Sequence, residues 1–259
     1  MEFKCSFNGI DEFTDIDRVY ELSQRFPFIE WGILYSLTRS EDDREIRYPS
    51  YNFIWDLLED SALYGEALYP ALHLCGKAAR DFLLEDDVPF SPLVYDVDRI
   101  QINVNLKELD IQPFFALRRL MSTYPFRSFI IQYNDNNKNI IDDPINRQFM
   151  IRFNSIHILK DASCGNGILT EDTSIPDSCS FSPIGFAGGL DPENISTAFP
   201  RIYNSVIAAN VEGANDNKMF WIDMESGVRT NDKFDLDKVE AVASYVDSYI
   251  KSAPTELIF

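Results

Sequence analysis

Residues 183–195 read Pro-Ile-Gly-Phe-Ala-Gly-Gly-Leu-Asp-Pro-Glu-Asn-Ile, and this stretch decides the fold of the chain. A short apolar run ends in two adjacent glycines, Gly188 and Gly189, and a helix-like segment begins soon after them. Glycine lets backbone N–H groups approach an anion closely, and the N-terminus of a helix adds a favourable dipole. The stretch therefore predicts a strand, an anion-binding turn and a helix, in that order.

Residues 221–228 repeat this form near the end of the chain and read Trp-Ile-Asp-Met-Glu-Ser-Gly-Val. A strand-like run is again followed by a turn of small residues. In (β/α)8 barrels the loops after the seventh and eighth strands commonly bind phosphate. One glycine turn is a weak signal, but a pair on the last two strands is more specific. The predicted phosphate-binding residues are Gly188, Gly189, Ser226 and Gly227.

Strand-like and helix-like segments alternate along the whole sequence. Apolar runs typical of strands lie near 3–8, 29–35, 69–75, 99–105, 127–134, 155–161, 183–188 and 219–224. Amphipathic segments typical of helices lie at 11–25, 51–63, 113–124, 195–209 and 236–250. This alternation predicts an α/β fold, a (β/α)8 TIM barrel, with residues 1–259 forming a single domain. A doubly wound open sheet is the alternative, but Asn8-Gly9-Ile10-Asp11 lacks its usual GxGxxG turn.

Composition limits the partners of the chain. The 259 residues carry a formal net charge of −19 and no cluster of Lys and Arg, which argues against nucleic acid as the main partner. No apolar run reaches the ~18 residues of a membrane span, and no secretory signal is present at the N-terminus. The four cysteines show no CxxC pairing, which indicates free thiols in a reducing compartment.

These observations predict a cytoplasmic protein that is a monomer or a homodimer. Its expected partner is a small phosphorylated molecule, with no nucleic-acid partner and no membrane partner. The sequence implies no cofactor. It also implies no metal, because His73 and Cys75 alone are too few ligands.

Polar side chains share one face of several predicted strands. They are His73 and Cys75, then Gln101, Asn103 and Asn105, then Gln132 and Asn134, and finally His157 and Asp161. The opposite faces carry apolar residues such as Ile100, Ile102 and Phe129, so the polar set is expected to point into the barrel. Buried polar groups must be hydrogen-bonded. The polar set is therefore either an internal network or the lining of a ligand pocket, and both alternatives stay open.

Several of these stretches resemble the phosphoribosylanthranilate isomerase family. Residues 187–195 are similar to that family's strand-seven motif, and residues 222–228 with 233–235 to its strand-eight segment. Asp161 and the glycine loop 164–167 resemble its strand-six acid and loop, and Arg47-Tyr48-Pro49-Ser50 resembles its arginine turn after strand two. The likeness is spread over the chain and is sharpest in the last third.

The resemblance implies an Amadori rearrangement of a phosphoribosyl amine. It implies that Asp161 is the general acid that protonates the ribose ring oxygen, that Arg47 meets a substrate carboxylate, and that Asp223 lies beside the ribose. Two alternatives remain open from the residues themselves. Asp161 would then only cap the following turn, and Arg47 would only be a surface arginine near Asp42 and Asp43.

The family's general base is a cysteine just after strand one, and this chain has Asn8 there. An amide cannot abstract a proton, so the pattern is broken at this position. Cys75 and His73, at the end of strand three, are candidates for a catalytic and a substrate-binding role, because the C-terminal ends of barrel strands carry catalytic residues. A core thiol and a hydrogen-bonded histidine are the alternative. Cys164, in the loop after strand six, is a further candidate base.

The expected function is that of an isomerase-like barrel that binds a phosphoribosyl substrate at its C-terminal face, with Asp161 as general acid. The candidate catalytic residues are Asp161, Cys75 and Asn8, and the candidate substrate-binding residues are Arg47, His73, Asn103 and Asp223. One alternative is a catalytically inactive barrel that binds a phosphorylated ligand. Another is a protein-interaction barrel that uses its acidic surface, with the loop 169–180 as a lid or a docking segment.

Overall fold

A computed structural model describes residues 2–38, 46–63, 68–85, 87–109, 112–161, 167–169, 171–211 and 219–253. Two short strands, Arg229–Thr230 and Lys233–Phe234, form an antiparallel pair. The other strands form a closed barrel in which every strand is parallel to its neighbours and the first pairs with the last. They are β1 (Glu2–Asn8), β2 (Ile29–Tyr35), β3 (Pro70–Cys75), β4 (Arg99–Asn103), β5 (Ser128–Tyr133), β6 (Ile156–Asp161), β7 (Ile184–Ala187) and β8 (Met219–Met224). The predicted (β/α)8 barrel is confirmed, and the open sheet is excluded.

The helices lie between the strands. Five of the described helices coincide with the predicted segments 11–25, 51–63, 113–124, 195–209 and 236–250, and the other four were not predicted. In chain order the helices are α1 (Ile16–Arg25), α2 (Tyr51–Leu63), α3 (Lys77–Leu84), α4 (Ser91–Val94), α5 (Pro113–Thr123), α6 (Lys138–Ile141), α7 (Pro144–Arg152), α8 (Ile195–Val211) and α9 (Leu236–Ser252). Capping residues start several of them. The Asp143 carboxylate accepts from the N–H groups of Ile145 and Asn146 before the proline that opens α7. Within the described residues, each helix is too short or too polar to span a bilayer.

Two strands end later in the sequence prediction than in the structure. The prediction extends β4 to residue 105, but the strand ends at Asn103 and Asn105 instead caps the following turn. The Asn105 carboxamide oxygen accepts a hydrogen bond of 3.1 Å from the Lys107 N–H. This local bond replaces the strand ladder, as short polar side chains commonly do. Likewise β7 ends at Ala187, because Gly188 has a φ of 106°.

The main hydrophobic core lies between the barrel and the helices. Ile100, Ile102, Phe129 and Ile131 are buried there with Phe82 and Leu117 of the helices. Alternate residues on the same strands point into the barrel, as the sequence predicts. The indole of Trp221 fills part of that interior, where a Cβ on Gly185 would lie 2.1 Å from its ring. A larger residue at position 185 would therefore displace the tryptophan.

Charged side chains occupy the lower part of the barrel interior. The Arg99 Nη1 lies 3.2 Å from the Glu30 Oε2, and both side chains are buried. The Arg99 guanidinium also lies 4.1 Å from the ring centroid of Trp221, at a cation–π distance. Arg99 opens β4, whereas Asn103 closes it at the opposite end. Arg99 and Glu30 are not members of the predicted polar set, and they add a charged pair at the bottom of the barrel interior.

Candidate functional site

A cavity of about 370 Å³ opens at the end of the barrel where all eight strands terminate. We call it the mouth cavity. Its volume is within the range of ligand-binding pockets. The predicted site residues that line it are Asn8, Arg47, His73, Asn103, Asp161, Gly188, Gly189, Asp223 and Ser226. Gly227 lines an adjoining cavity of about 400 Å³ that shares Gly189 and Ser226 with the first.

The turns after β7 and β8 lie in direct contact with each other. A Cβ on Gly227 would lie 1.9 Å from the Leu190 carbonyl oxygen, so only glycine permits this approach. Gly188 and Gly189 have φ values of 106° and 62°, in the left-handed region that favours glycine. The Asn194 Nδ2 donates a 2.7 Å hydrogen bond to the Gly189 carbonyl oxygen and fixes the turn from that side.

Residues of the loop after β6 also contact these turns. A Cβ on Gly189 would lie 2.3 Å from the Leu169 backbone nitrogen, and one on Gly167 would lie 3.1 Å from the Ser226 Oγ. Further along the same loop, the Lys160 Nζ donates 2.8 Å hydrogen bonds to the Asp172 carboxylate and to the Ser174 carbonyl oxygen. We call the segment between β6 and β7 loop six. Its described residues 167–169 lie against the pair of turns, and its residues Asp172 and Ser174 are tied to β6.

Asn8 and Asp223 are joined across the closure between β1 and β8. The Asn8 Nδ2 donates a 2.7 Å hydrogen bond to the Asp223 Oδ1, and its Oδ1 accepts one of 3.0 Å from the Ser6 hydroxyl. Gly32 leaves room for this amide, since a Cβ there would lie 2.0 Å from the Asn8 Oδ1. The position that holds the base in the resembled family is therefore occupied by an amide whose two polar atoms are both engaged.

Asp223 is a buried carboxyl that lines the mouth cavity. Burial raises its pKa to about 8, with Glu30 and Glu225 adding to the effect, although the Asn8 hydrogen bond and Arg99 oppose it. Its second oxygen, Oδ2, is buried and has no hydrogen-bond partner among the described residues. At neutral pH the carboxyl is mainly protonated, so it can donate a hydrogen bond to a ligand oxygen.

A buried ion pair clamps the turn after β1 against the segment after β8. The Arg229 Nη2 lies 3.0 Å from the Asp11 Oδ2, and its Nη1 donates a 2.7 Å hydrogen bond to the Gly9 carbonyl oxygen. The same Asp11 oxygen accepts from the Phe234 N–H at 2.9 Å. This clamp is not among the residues predicted from the sequence, because no local pattern marks two residues so far apart in the chain.

Arg47 lines the mouth cavity beside two acidic side chains. Its Nη1 lies 3.2 Å from the Glu225 Oε1, and its Nη2 lies 2.7 Å from the Asp232 Oδ1. The alternative partners that the sequence suggested, Asp42 and Asp43, lie outside the described residues. The guanidinium therefore reaches the site, and it is held there by carboxylates of the protein itself.

Asp161 closes β6 at the mouth, in register with Ala187 of β7. Its side chain is buried and lines the cavity next to the glycine turn that follows β7. This is the placement that the resemblance implies for a general acid. The other candidate of that loop, Cys164, lies outside the described residues.

His73, Cys75 and Asn103 lie on the neighbouring strands β3 and β4. The Asn103 Oδ1 accepts a 2.9 Å hydrogen bond from the Gln101 Nε2, and its Nδ2 lies 3.6 Å from the Cys75 Sγ. Cys75 is half-buried and is not among the residues that line the cavity, whereas His73 is. Burial, with Arg99 nearby, lowers the pKa of His73 to about 3. Its imidazole is therefore neutral at neutral pH and can both donate and accept.

Other lining residues were not predicted as site candidates from the sequence. The polar side chains among them are Gln101, Asn105, Gln132, Asn134, Asn136 and Glu225. The alternation of polar residues on β4 and β5 had given the first four of these as part of either an internal network or the lining of a ligand pocket, whereas Asn136 and Glu225 were not in that set. Among the described residues, no three His, Cys, Asp or Glu side chains gather as a metal site requires.

No family model and no curated protein matches this sequence. Among solved structures, the chain is similar to N-(5'-phosphoribosyl)anthranilate isomerase from Pyrococcus furiosus, with a TM-score of 0.54 and 14% identity over 95% of this chain and 99% of that one. It is also similar to phosphoribosyl anthranilate isomerase from Thermococcus kodakaraensis, with a TM-score of 0.51 and 17% identity over 94% and 98%. At such identities the likeness shows the fold alone. The chain thus has a barrel of the kind found in these isomerases.

Proposed function

We propose that this chain is an enzyme that binds a small phosphoribosyl-type substrate in the mouth cavity and isomerises it, with Asp161 as the general acid. The observation that carries the proposal is the meeting of two features in one space of about 370 Å³. One is a buried carboxyl at the end of β6, and the other is the pair of glycine turns after β7 and β8. A phosphate held at the turns would bring its sugar to the carboxyl.

The chemistry of an aldose–ketose or Amadori rearrangement explains why a carboxyl is needed there. An acid protonates the ring oxygen as the ring opens, and a base removes a proton from the adjacent carbon, so that the double bond moves by one position. Asp161 is the proposed acid. Burial raises the pKa of Asp223 to about 8, so its carboxyl is largely protonated. In this proposal it donates a hydrogen bond to a sugar oxygen while Asp161 acts as the acid.

The proposed base is not Asn8, because an amide cannot accept the proton. Cys75 on β3 is the proposed base. It is not itself a lining residue of the cavity, but its Sγ lies 3.6 Å from the Nδ2 of Asn103, which is one. In this proposal Asn8 keeps a different role. Its hydrogen bond to the Asp223 Oδ1 turns that carboxyl so that the Oδ2 is left for a ligand.

Turnover of phosphoribosylanthranilate and related sugar phosphates tests the proposal. We expect Asp161→Asn to lower the rate by about 100-fold or more, since general acids contribute 10²–10⁴-fold. Asp96→Asn, which changes an exposed aspartate before β4, is the matched control and should keep the full rate. Cys75→Ala tests the base in the same assay. If no sugar phosphate is converted faster by the wild type than by the Asp161 variant, the enzymatic function is wrong.

A second candidate function is a barrel that binds a phosphorylated ligand without converting it. The engaged amide of Asn8 favours it, because both its polar atoms are held by Ser6 and Asp223. It predicts micromolar binding of sugar phosphates by calorimetry, with no product. Gly188→Asp, which adds a carboxylate to the turn, should abolish that binding. The absence of any heat with the wild type would contradict both functions.

A further inference from the structure

The mouth cavity differs in character between its two sides, and we infer from this what kind of molecule the phosphate carries. We propose, resting on the proposed function above, that the substrate's other half is a neutral polyhydroxylated group and not an aromatic acid. Four features carry this inference. They are a wall of carboxamides, two buried polar atoms at the floor, the charges around the only Lys or Arg in the described lining, and the lack of aromatic side chains in that lining.

The carboxamide wall comes from β4, β5 and the segments that follow them. Its members are Gln101, Asn103, Asn105, Gln132, Asn134 and Asn136. In the barrel order β3 and β4 lie across the mouth from β7 and β8, whose turns hold the phosphate in the proposed function, and β5 is the next strand after β4. A ligand with its phosphate at the turns would therefore present its other half to the wall. Each carboxamide carries both donors and an acceptor, as hydroxyl groups do.

The floor of the cavity contains two buried polar atoms that match a hydroxyl group. The Gln101 Oε1 and the His73 Nε2 have no hydrogen-bond partner among the described residues. Their residues are only 3% and 1% exposed, and both line the cavity. The two residues are register partners on the neighbouring strands β3 and β4.

A buried acceptor without a partner costs free energy, and a ligand that supplies a donor removes that cost. Gln101 presents only its acceptor, because its Nε2 already donates to the Asn103 Oδ1 at 2.9 Å. The neutral imidazole of His73 either donates or accepts at its Nε2. A sugar hydroxyl can donate to the glutamine and accept from the histidine at the same time, whereas a carboxylate cannot donate at all.

The charges of the cavity oppose a carboxylate. Arg47 is the one Lys or Arg among the described residues that line it. Its guanidinium is bound to Glu225 and Asp232, at 3.2 Å and 2.7 Å. A substrate carboxylate would compete with these partners for the guanidinium, and it would meet Glu225 in the same lining. An aromatic acid would leave one of these charges without a partner, which is costly in a desolvated site.

The apolar part of the lining does not suit a flat ring. It consists of Val104, Leu159, Ala187, Leu190 and Met224, all of them aliphatic. Among the described lining residues there is no Phe, Tyr or Trp side chain on which an aromatic ring would stack. The cavity therefore offers hydrogen bonds over most of its wall and little aromatic surface.

Calorimetry with ligands that share a phosphate tests this proposal. The probes are inorganic phosphate, butyl phosphate, ribitol phosphate and an anthranilate that carries a phosphobutyl chain on its nitrogen. We expect ribitol phosphate to bind at least tenfold more tightly than butyl phosphate, and the anthranilate to bind no more tightly than butyl phosphate. Binding of the anthranilate more tightly than ribitol phosphate would overturn the proposal.

Two variants locate the effect. Gln101→Leu should lower the affinity for ribitol phosphate about tenfold, which corresponds to the loss of one well-placed hydrogen bond. The affinity for butyl phosphate should stay unchanged. Gln148→Leu, the same change on the exposed face of α7, should alter neither of the two affinities. Circular dichroism and the melting temperature verify that both variants fold. Equal affinity of wild type and Gln101→Leu for ribitol phosphate would also overturn the proposal.

The failure of this inference is distinguishable from the failure of the proposed function. If inorganic phosphate and butyl phosphate do not bind the wild type, the turns after β7 and β8 do not bind phosphate, and both proposals are wrong. If they bind, and ribitol phosphate binds no more tightly than butyl phosphate, only the polyhydroxylated class is wrong. Gly188→Asp should remove the binding of all four probes, which assigns the measured heats to this cavity.

Discussion

The two sides of the barrel mouth are built from different parts of the chain. On one side, the turns after β7 and β8 present backbone, and their shape depends on glycines that permit direct contact between them. On the other side, the carboxamide wall of β4 and β5 presents side chains. Backbone groups are the same in every residue, so the first side suits a group common to many substrates. The side-chain wall is where one substrate can be distinguished from another.

Separating the two turns should give the largest effect. In Gly227→Ala the new Cβ would lie 1.9 Å from the Leu190 carbonyl oxygen, which belongs to the backbone and cannot rotate away. We expect a loss of about 3 kcal/mol in the free energy of unfolding, at the upper end of overpacking costs. The affinity for inorganic phosphate should fall at least 100-fold. Urea denaturation and calorimetry measure the two effects.

The neighbouring substitution Ser226→Ala serves as the control for this change. It removes a hydroxyl and adds no atom, so the contact between the turns is kept. Its phosphate affinity should fall no more than tenfold, the worth of one hydrogen bond. If Gly227→Ala were as stable as the wild type, this would contradict the close approach of Gly227 to the Leu190 carbonyl oxygen.

Asp223, the buried carboxyl on β8, should make stability depend on pH. Burial raises its pKa to about 8 in the folded protein, against about 3.9 in an unfolded chain. The folded state thus binds the proton more tightly, so this contribution to stability is complete below about pH 4 and is lost as the pH rises through about 8. Between about pH 6.5 and 8 the loss is about 2 kcal/mol.

Asp223→Asn removes this titration and keeps an oxygen to accept from Asn8. We expect the stability of the wild type relative to the variant to fall by about 2 kcal/mol over the same pH range. The buried His73 does not interfere, because its pKa is lowered to about 3 and its contribution is complete above the ordinary value of 6.5. Urea denaturation of both proteins at several pH values measures the difference. Two parallel curves would contradict a buried, protonated carboxyl.

The backbone side of the mouth is easier to predict from the sequence than the side-chain side. Glycine pairs at strand ends are local signals, so the sequence alone places Gly188 and Gly189 at the end of β7. The inward direction of Gln101 and Asn103 also follows from a local pattern, the alternation of polar and apolar residues on a strand. Each of these predictions depends on residues that are close together in the chain.

Contacts between distant residues could not be predicted in this way. The hydrogen bond between Asn8 and Asp223 joins residues at opposite ends of the chain and exists only because β1 pairs with β8. The same holds for Arg229 and Asp11. The sequence alone does not show why position 185 must be glycine. The cause is the Trp221 side chain of the next strand, which occupies the space that a side chain at position 185 would need. Barrel closure supplies this information, and no single segment contains it.

A smaller effect should separate backbone strain from contact with loop six. Gly189 and Gly76 have φ values of 62° and 58°, so alanine is strained at both positions. A Cβ at Gly76 has no atom within 4 Å, whereas at Gly189 it would lie 2.3 Å from the Leu169 backbone nitrogen. We expect Gly189→Ala to cost about 1 kcal/mol more than Gly76→Ala in urea denaturation. Equal costs would mean that loop six does not rest on the turn.

Gln132→Ala should give the smallest change in stability and sharpen the contrast between the two sides. Its side chain is half-buried, and its one hydrogen bond among the described residues is a long one of 3.5 Å from the Asn134 Nδ2. The backbone carbonyl of Gln132, which accepts from the Asn137 Nδ2 at 3.1 Å, is unaffected by the change. The free energy of unfolding should therefore shift by less than about 0.5 kcal/mol.

The affinity of this variant for ribitol phosphate should nevertheless fall a few-fold, while that for inorganic phosphate stays the same. Calorimetry with the two ligands measures this ratio, and Gln148→Ala on α7 is the matched control. A loss of both affinities together would mean that the carboxamide wall supports the phosphate turns and does not act separately. A loss of neither would remove Gln132 from the recognition of the sugar and leave Gln101 and His73 as its floor.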